Sequence, residues 1–136
     1  MKENWIVPCS VKFYDIIEHF RKNETIIIKK TSALRENDVA YVYVGTPYSQ
    51  VKYKCVVVND DVQQEILEKN SYAIRNSEDG KKINYVELRL EYTYEDGVFS
   101  LQELRKNGLG QTQRQARLDR KLRQYIEEVN ARLQVK

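Results

Sequence analysis

Hydrophobic and polar positions alternate most cleanly between Asp38 and Asn59. Tyr41 and Tyr43 share one side and Val42 and Val44 the other, while Val51, Tyr53, Cys55 and Val57 alternate with Lys52, Lys54 and Val56. A period of two on both sides of a short connection predicts an antiparallel hairpin. That connection, Gly45-Thr46-Pro47-Tyr48-Ser49-Gln50, exceeds a two-residue turn, and Pro47 fixes φ there so that Tyr48 projects from a stiffened loop. An aromatic at a strand end suits stacking on a flat ligand or packing over the hairpin edge; the spacing admits both.

The remaining pattern gives an opening strand, Trp5 to Cys9, and then Ser10 as the cap of a helix whose apolar stripe is Phe13, Ile16, Ile17 and Phe20, ending near Asn23. Three successive β-branched residues, Ile26, Ile27 and Ile28, favour a second strand within Glu24 to Thr31. Beyond the hairpin, Asp60 to Lys69 reads as a short helix capped by Asp60 or Asp61, followed by a polar connection through Asn76-Ser77-Glu78-Asp79-Gly80 that is expected to be mobile. Ile83 to Tyr94 is a long strand with Val86, Leu88, Leu90 and Tyr92 on one face and Tyr85, Glu87, Arg89 and Glu91 on the other. Ser100 to Glu103 is a capping box opening a helix that stops at Asn107-Gly108. Leu122, Tyr125, Ile126, Val129 and Leu133 stripe a terminal helix that leaves Arg120, Lys121, Arg123 and Arg132 mostly in solvent. Short connections between these elements predict an α+β fold: a mostly antiparallel sheet curled into a partly open barrel, with helices outside it or across its ends.

Composition narrows the class. With 136 residues, 41% of them hydrophobic, the chain fits one compact domain over residues 1–136. It contains no apolar run approaching the roughly 18 residues that cross a bilayer, and MKENWIVPCS does not resemble a secretory signal, so a cytoplasmic protein with no membrane partner is expected. Cys9 and Cys55 sit in apolar strand contexts without CxxC spacing, as free buried thiols do. Catalysis finds little footing, because the single histidine, His19, reads as a helix-surface residue and no Ser-His-Asp, Cys-His or paired-carboxylate arrangement stands out. No glycine-rich phosphate cradle opens a helix, and no cofactor is implied. Charge is uneven: residues 1–104 carry 14 Lys and Arg against 17 Asp and Glu, whereas 105–136 carry 9 against 3. A basic tail segment fits either a phosphate footprint or a solvated helix face.

Several segments in collinear order resemble the EVE domain family of the PUA-like group, which also includes the YTH and ASCH domains. They are Trp5-Ile6-Val7-Pro8, Tyr14-Asp15-Ile16, Asn37 to Gly45 running into Thr46-Pro47-Tyr48, Lys54-Cys55-Val56, and Leu101 to Leu118. The resemblance runs from about residue 4 to residue 126 and implies a pseudo-barrel with a pocket for a modified base, such as 5-methylcytosine or its hydroxymethyl form. It also implies DNA or RNA as partner, with a separate nuclease or restriction ATPase in a defence setting. Thr46, Pro47 and Tyr48 match the family's small-Pro-Tyr turn beside the pocket, and Trp5 its opening aromatic. Gln113 and Arg117 fall in its glutamine-rich loop, here lacking the prolines and second glycine. Where the family commonly has a tryptophan followed by a lysine, Ile28-Lys29 stands instead. That loss of an aromatic wall is expected either to change the ligand or to leave the π-face to Tyr43, Tyr48 or Trp5.

The base pocket expected on these grounds comprises Trp5, Tyr43, Thr46, Pro47, Tyr48, Ser49 and Gln113. Tyr48 would stack, and Thr46, Ser49 or Gln113 would read the base edge; Trp5 and Tyr43 are at least as readily core residues. Lys29, Lys30, Arg114, Arg117, Arg120 and Arg123 are the expected phosphate ligands. The alternative is an RNA-binding or protein-interaction regulatory domain that flips no base.

Overall fold

The computed structural model describes residues 2–69 and 83–135; the polar connection expected over 76–80 lies outside them. Six strands form one sheet: β1 (Asn4–Cys9), β2 (Thr25–Lys30), β3 (Val39–Val44), β4 (Gln50–Asn59), β5 (Asn84–Thr93) and β6 (Ala116–Arg117), in the order β2-β5-β4-β3-β1-β6. All pairings are antiparallel except β1 with β3. Among the described residues, four helices flank it: α1 (Ile16–Lys22), α2 (Gln64–Lys69), α3 (Leu101–Lys106) and α4 (Arg120–Leu133). The α+β half-barrel expected from the alternating pattern is thus borne out.

Two faces of the sheet carry two cores. Trp5, Val7, Ile26, Ile28, Val42, Val44 and Leu88 pack with Ile16 on the α1 side, whereas Ile6, Tyr41, Tyr43 and Phe99 pack on the other side with Leu104 of α3 and Leu122 and Ile126 of α4. The register shifts at three places, one of them at Val58 near the end of β4, and at the other two a side chain changes face. Tyr43 pairs with Val51 and Val42 with Tyr53, so Lys52 is an extra residue, and Val51 moves to the face opposite Tyr53. Likewise Lys54 pairs with Tyr92 and Cys55 with Leu90, which leaves Glu91 as a bulge and puts Tyr92 on the α4 side rather than with Leu90. Neighbouring bulges sharpen the local twist and bend the strands, and here they curl the sheet.

Local chemistry corrects two helix starts. Ser10 organises a turn instead, its carbonyl accepting from the amides of Phe13 and Tyr14, while Asp15 caps α1 by accepting from the amide of Glu18 at 3.1 Å. Phe13 therefore leaves the helix stripe and stands 86% exposed. The second helix starts at Gln64 rather than Asp60, whose carboxylate is engaged by the amide of Glu36 at 2.9 Å. Ser100 caps α3 and Gly108 takes φ 109° beyond it, as the sequence predicts. Of the α4 stripe, Leu122, Ile126 and Val129 are buried, but Leu133 is 40% exposed; Asn130 is buried as well, bridging the hydroxyls of Tyr94 and Tyr41.

Burial pushes the Cys9 thiol up to about 11 and the Tyr53 phenol up to about 12, and raises Cys55 and Tyr94 too. These groups are neutral in the folded protein and ionise more easily in the unfolded chain. Their contribution to stability is therefore fully present below pH 9 and is lost as pH rises from about 9 towards 12, because the folded state then holds more protons. Urea unfolding at pH 8 and pH 10.5 is expected to show a clear drop in midpoint at the higher value; equal midpoints would contradict it.

Candidate nucleic-acid site

Curling brings the two edge strands of the sheet towards each other, and a cavity of about 720 Å³ opens in the seam between them. Its floor is the α1-side core: Val7, Ile16, Ile26, Ile28, Val42 and Leu88. The rim is polar, built by Ser10 and Tyr14 from the β1–α1 turn, Lys29 and Thr31 from the end of β2, and Gln111, Gln113, Arg114 and Gln115 from the loop before β6. Such a volume, apolar below and polar at the edge, lies within the roughly 300–1,000 Å³ typical of small-molecule sites. Two cationic side chains and no acidic ones are among the described residues that line it.

Glutamine side chains hold the loop that forms one wall. Gln111 Oε1 accepts from the amides of Gln113 and Arg114 at 2.8 and 2.9 Å, folding the loop around its own carboxamide. Gln115 crosses the seam: its Nε2 donates to the Lys29 carbonyl at 2.8 Å, and its Oε1 accepts from the Thr31 amide at 3.1 Å and the Ser32 hydroxyl at 2.8 Å. A single carboxamide thus satisfies backbone groups that an edge strand would otherwise leave bare. These contacts do the work expected of the prolines and glycine that the loop lacks. Gln115→Ala is expected to lower stability by about 1–2 kcal/mol and to weaken ligand binding by more than a Gln113→Ala change, measured by urea unfolding and by titration; unchanged binding would show that the seam stays shut without it.

Opposite this wall, His19 is 5% exposed, not a surface residue. Its Nδ1 meets the Tyr14 hydroxyl at 2.6 Å and its Nε2 the Thr25 carbonyl at 2.7 Å. Burial, then the charges of Asp15 and Cys9, hold the Tyr14 phenol above its usual range. Cys9 also lines the cavity, and its raised value keeps it a thiol.

Among the residues singled out from sequence, Gln113, Lys29 and Arg114 come together at the cavity, and Ile28 forms part of its floor. Trp5, Tyr43, Thr46, Pro47, Tyr48 and Ser49 do not line it. Trp5 is buried, with its indole N–H donating to Asp38 at 2.9 Å, and Tyr43 is buried on the opposite face of the sheet. The corner at 45–49 has a cis peptide at Thr46-Pro47; its Gly45 amide donates to the carbonyl of the cavity residue Cys9, and its far end joins α3 through Leu101 N–H to the Ser49 carbonyl. Tyr48 is 40% exposed.

The expected phosphate ligands scatter. Lys30 donates to the Asp60 carbonyl at 3.2 Å, Arg117 lies 5.0 Å over the Trp5 indole, and Arg120 and Arg123 are exposed on α4, where Arg123 is 3.9 Å from Glu127. Phe13, Tyr14 and Gln115 went unrecognised as site residues. Tyr14 had a signal, since it belongs to a segment that carries the family resemblance; Phe13 was absorbed into a helix stripe that it does not join.

The overall arrangement matches solved structures. A serine-to-alanine mutant of the ASCH protein of Zymomonas mobilis superposes with TM-score 0.64 at 12% identity, over 94% of this chain and 96% of that one. The unmutated Zymomonas mobilis ASCH protein gives 0.58 at 12% identity over 93% and 94%, and a hypothetical protein from Leishmania major gives 0.60 at 14% identity over 98% of each chain. No family model and no curated protein matches the sequence. The chain therefore shares the fold of these ASCH structures. Among the described residues no helix is long and apolar enough to cross a membrane.

Proposed function

We propose that this protein is a nucleic-acid-binding domain, acting by binding alone, that takes an unpaired or extruded base into the seam cavity. The observation that carries the reading is the cavity itself: an apolar floor wide enough for a planar heterocycle, a carboxamide rim, and Lys29 and Arg114 beside it with no carboxylate among the described lining residues. Phe13, exposed at the rim, offers a stacking face that replaces the aromatic wall lost at Ile28. Lys29 and Arg114 hold the flanking phosphates, and Gln113 reads the base edge.

Membership of the EVE domains, recognition of a modified base, a flipped-base mechanism and a defence role beside a separate nuclease or restriction ATPase are finer parts of the same proposal. Their support is the ordered set of EVE-like segments. Fluorescence anisotropy with single-stranded and duplex oligonucleotides, carrying plain, 5-methylated or 5-hydroxymethylated cytosine at two salt concentrations, tests it. With two phosphate contacts on a single strand, log K should fall with log salt at a slope of about −1.4. Absence of binding to every oligonucleotide would remove the reading.

A further inference from the structure

Tyr14, His19 and the Thr25 carbonyl form a chain whose polarity the geometry fixes. A carbonyl oxygen only accepts, so the 2.7 Å contact between His19 Nε2 and Thr25 O requires the proton on Nε2. In the neutral ring Nδ1 is then an acceptor, and the Tyr14 O–H, 2.6 Å away, must donate to it. With its one proton committed inward, the Tyr14 oxygen has only lone pairs left to offer. Among the other polar side chains that line the cavity, Gln111 and Gln115 commit both ends of their carboxamides to backbone or side-chain partners, Lys29 and Arg114 can only donate, and Ser10, Thr31 and Gln113 can turn to present either a donor or an acceptor, which leaves Tyr14 as the side chain fixed as an acceptor.

We propose that Tyr14 is the specificity-determining acceptor of the cavity, with His19 as its positioning residue, so that the site selects planar ligands presenting an N–H donor over isosteres presenting a carbonyl. This rests on the cavity being the base site. For nucleobases it means the amino edge of cytosine or adenine in preference to the carbonyl edge of uracil or hypoxanthine, a discrimination that survives modification elsewhere on the ring. An acceptor facing a carbonyl leaves two lone-pair groups in opposition, whereas an amino group gains a hydrogen bond.

Two measurements at pH 8 test this. The ¹⁵N shifts of the His19 ring in the ligand-free protein should show a protonated Nε2 and a bare Nδ1; the opposite tautomer overturns the proposal without any ligand. Titration with cytidine against uridine, and adenosine against inosine, followed by amide shifts, should favour the amino member of each pair on the order of 5- to 10-fold. Tyr14→Phe, which keeps the ring, should bring that ratio close to one; because it leaves the buried His19 Nδ1 without its donor, a lowered urea midpoint accompanies it and the ratio is read on the folded variant. Equal binding by wild type, or a preference for the carbonyl member, overturns the proposal and leaves the base site standing. Failure of all four nucleosides to bind, with the expected tautomer present, removes the base site and this inference with it.

Discussion

Replacing Phe13 with alanine is expected to weaken oligonucleotide binding by about 5- to 150-fold, the equivalent of roughly 1–3 kcal/mol for one stacked base, while unfolding is unchanged within about 0.5 kcal/mol. The separation of the two effects follows from where the ring sits. At 86% exposure it has little apolar burial to lose in the free protein, yet it lines the rim of the cavity. Its position is set by the turn in which the Ser10 carbonyl accepts from the amides of Phe13 and Tyr14, which turns Tyr14 towards His19 and sends Phe13 outward. Tyr48→Ala provides the comparison, because Tyr48 is exposed on a corner that does not line the cavity. If Tyr48→Ala abolishes binding and Phe13→Ala does not, the base sits at the hairpin corner and the seam is not the site.

The largest stability effect is expected at Asp38. This carboxylate is 2% exposed and accepts three hydrogen bonds: from the Glu3 amide at 2.9 Å, the Trp5 indole N–H at 2.9 Å and the Arg35 amide at 3.0 Å. It stands at the head of β3 and clamps the start of β1 in the parallel register that pairs Asn4 with Val39. Asp38→Ala leaves all three donors without their acceptor, and hydrogen bonds to a charged group contribute about 1.5–3 kcal/mol each, although not additively. The expected loss is roughly 3–5 kcal/mol, a large share of the stability of a chain this size. Asp38→Asn should recover part of it, because one oxygen can still accept while the new NH₂ faces a donor. A urea midpoint for Asp38→Ala close to wild type would show that the clamp contributes little and that the β1–β3 register is held by side-chain packing.

Much of this architecture was legible in the chain. The β2 strand follows from three β-branched isoleucines, α3 from its Ser100 cap and Gly108 stop, and the hairpin from alternation, because each signal is local and unopposed. Alternation misled where a bulge intervened. Nothing in Val51-Lys52-Tyr53 or in Leu90-Glu91-Tyr92 marks the extra residue, since curvature is decided by how the whole sheet packs against α1 on one side and α4 on the other. At the first helix the cap is Asp15 rather than Ser10, because Ile16, not Phe13, has a core to enter. Two-residue β6 was beyond reach: Ala116-Arg117 has no strand pattern and is held by pairing with Ile6 and Trp5.

Cavity residues divided along the same line. Gln113, Lys29 and Arg114 were visible as polar or basic residues in loops and at a strand end, whereas Tyr14 and Gln115 acquire their roles only when the seam brings distant segments together, as in the 86-residue separation between Gln115 and Lys29. The burial of His19 is of the same kind. Its partners, Tyr14 and the Thr25 carbonyl, are near in sequence, but only the packing of α1 beside β2 turns the ring inward.

Methyl-labelled isoleucine offers the most direct test of base binding in the seam. Ile16, Ile26 and Ile28 line the cavity, while Ile27 packs against Val62 and Tyr85, and Ile126, on α4, packs in the other core. On titration with a single-stranded oligonucleotide, the methyl resonances of Ile16, Ile26 and Ile28 should shift and those of Ile27 and Ile126 should not. Shifts confined to Ile126, or no shift at any isoleucine, would contradict a nucleotide site between the edges of the sheet.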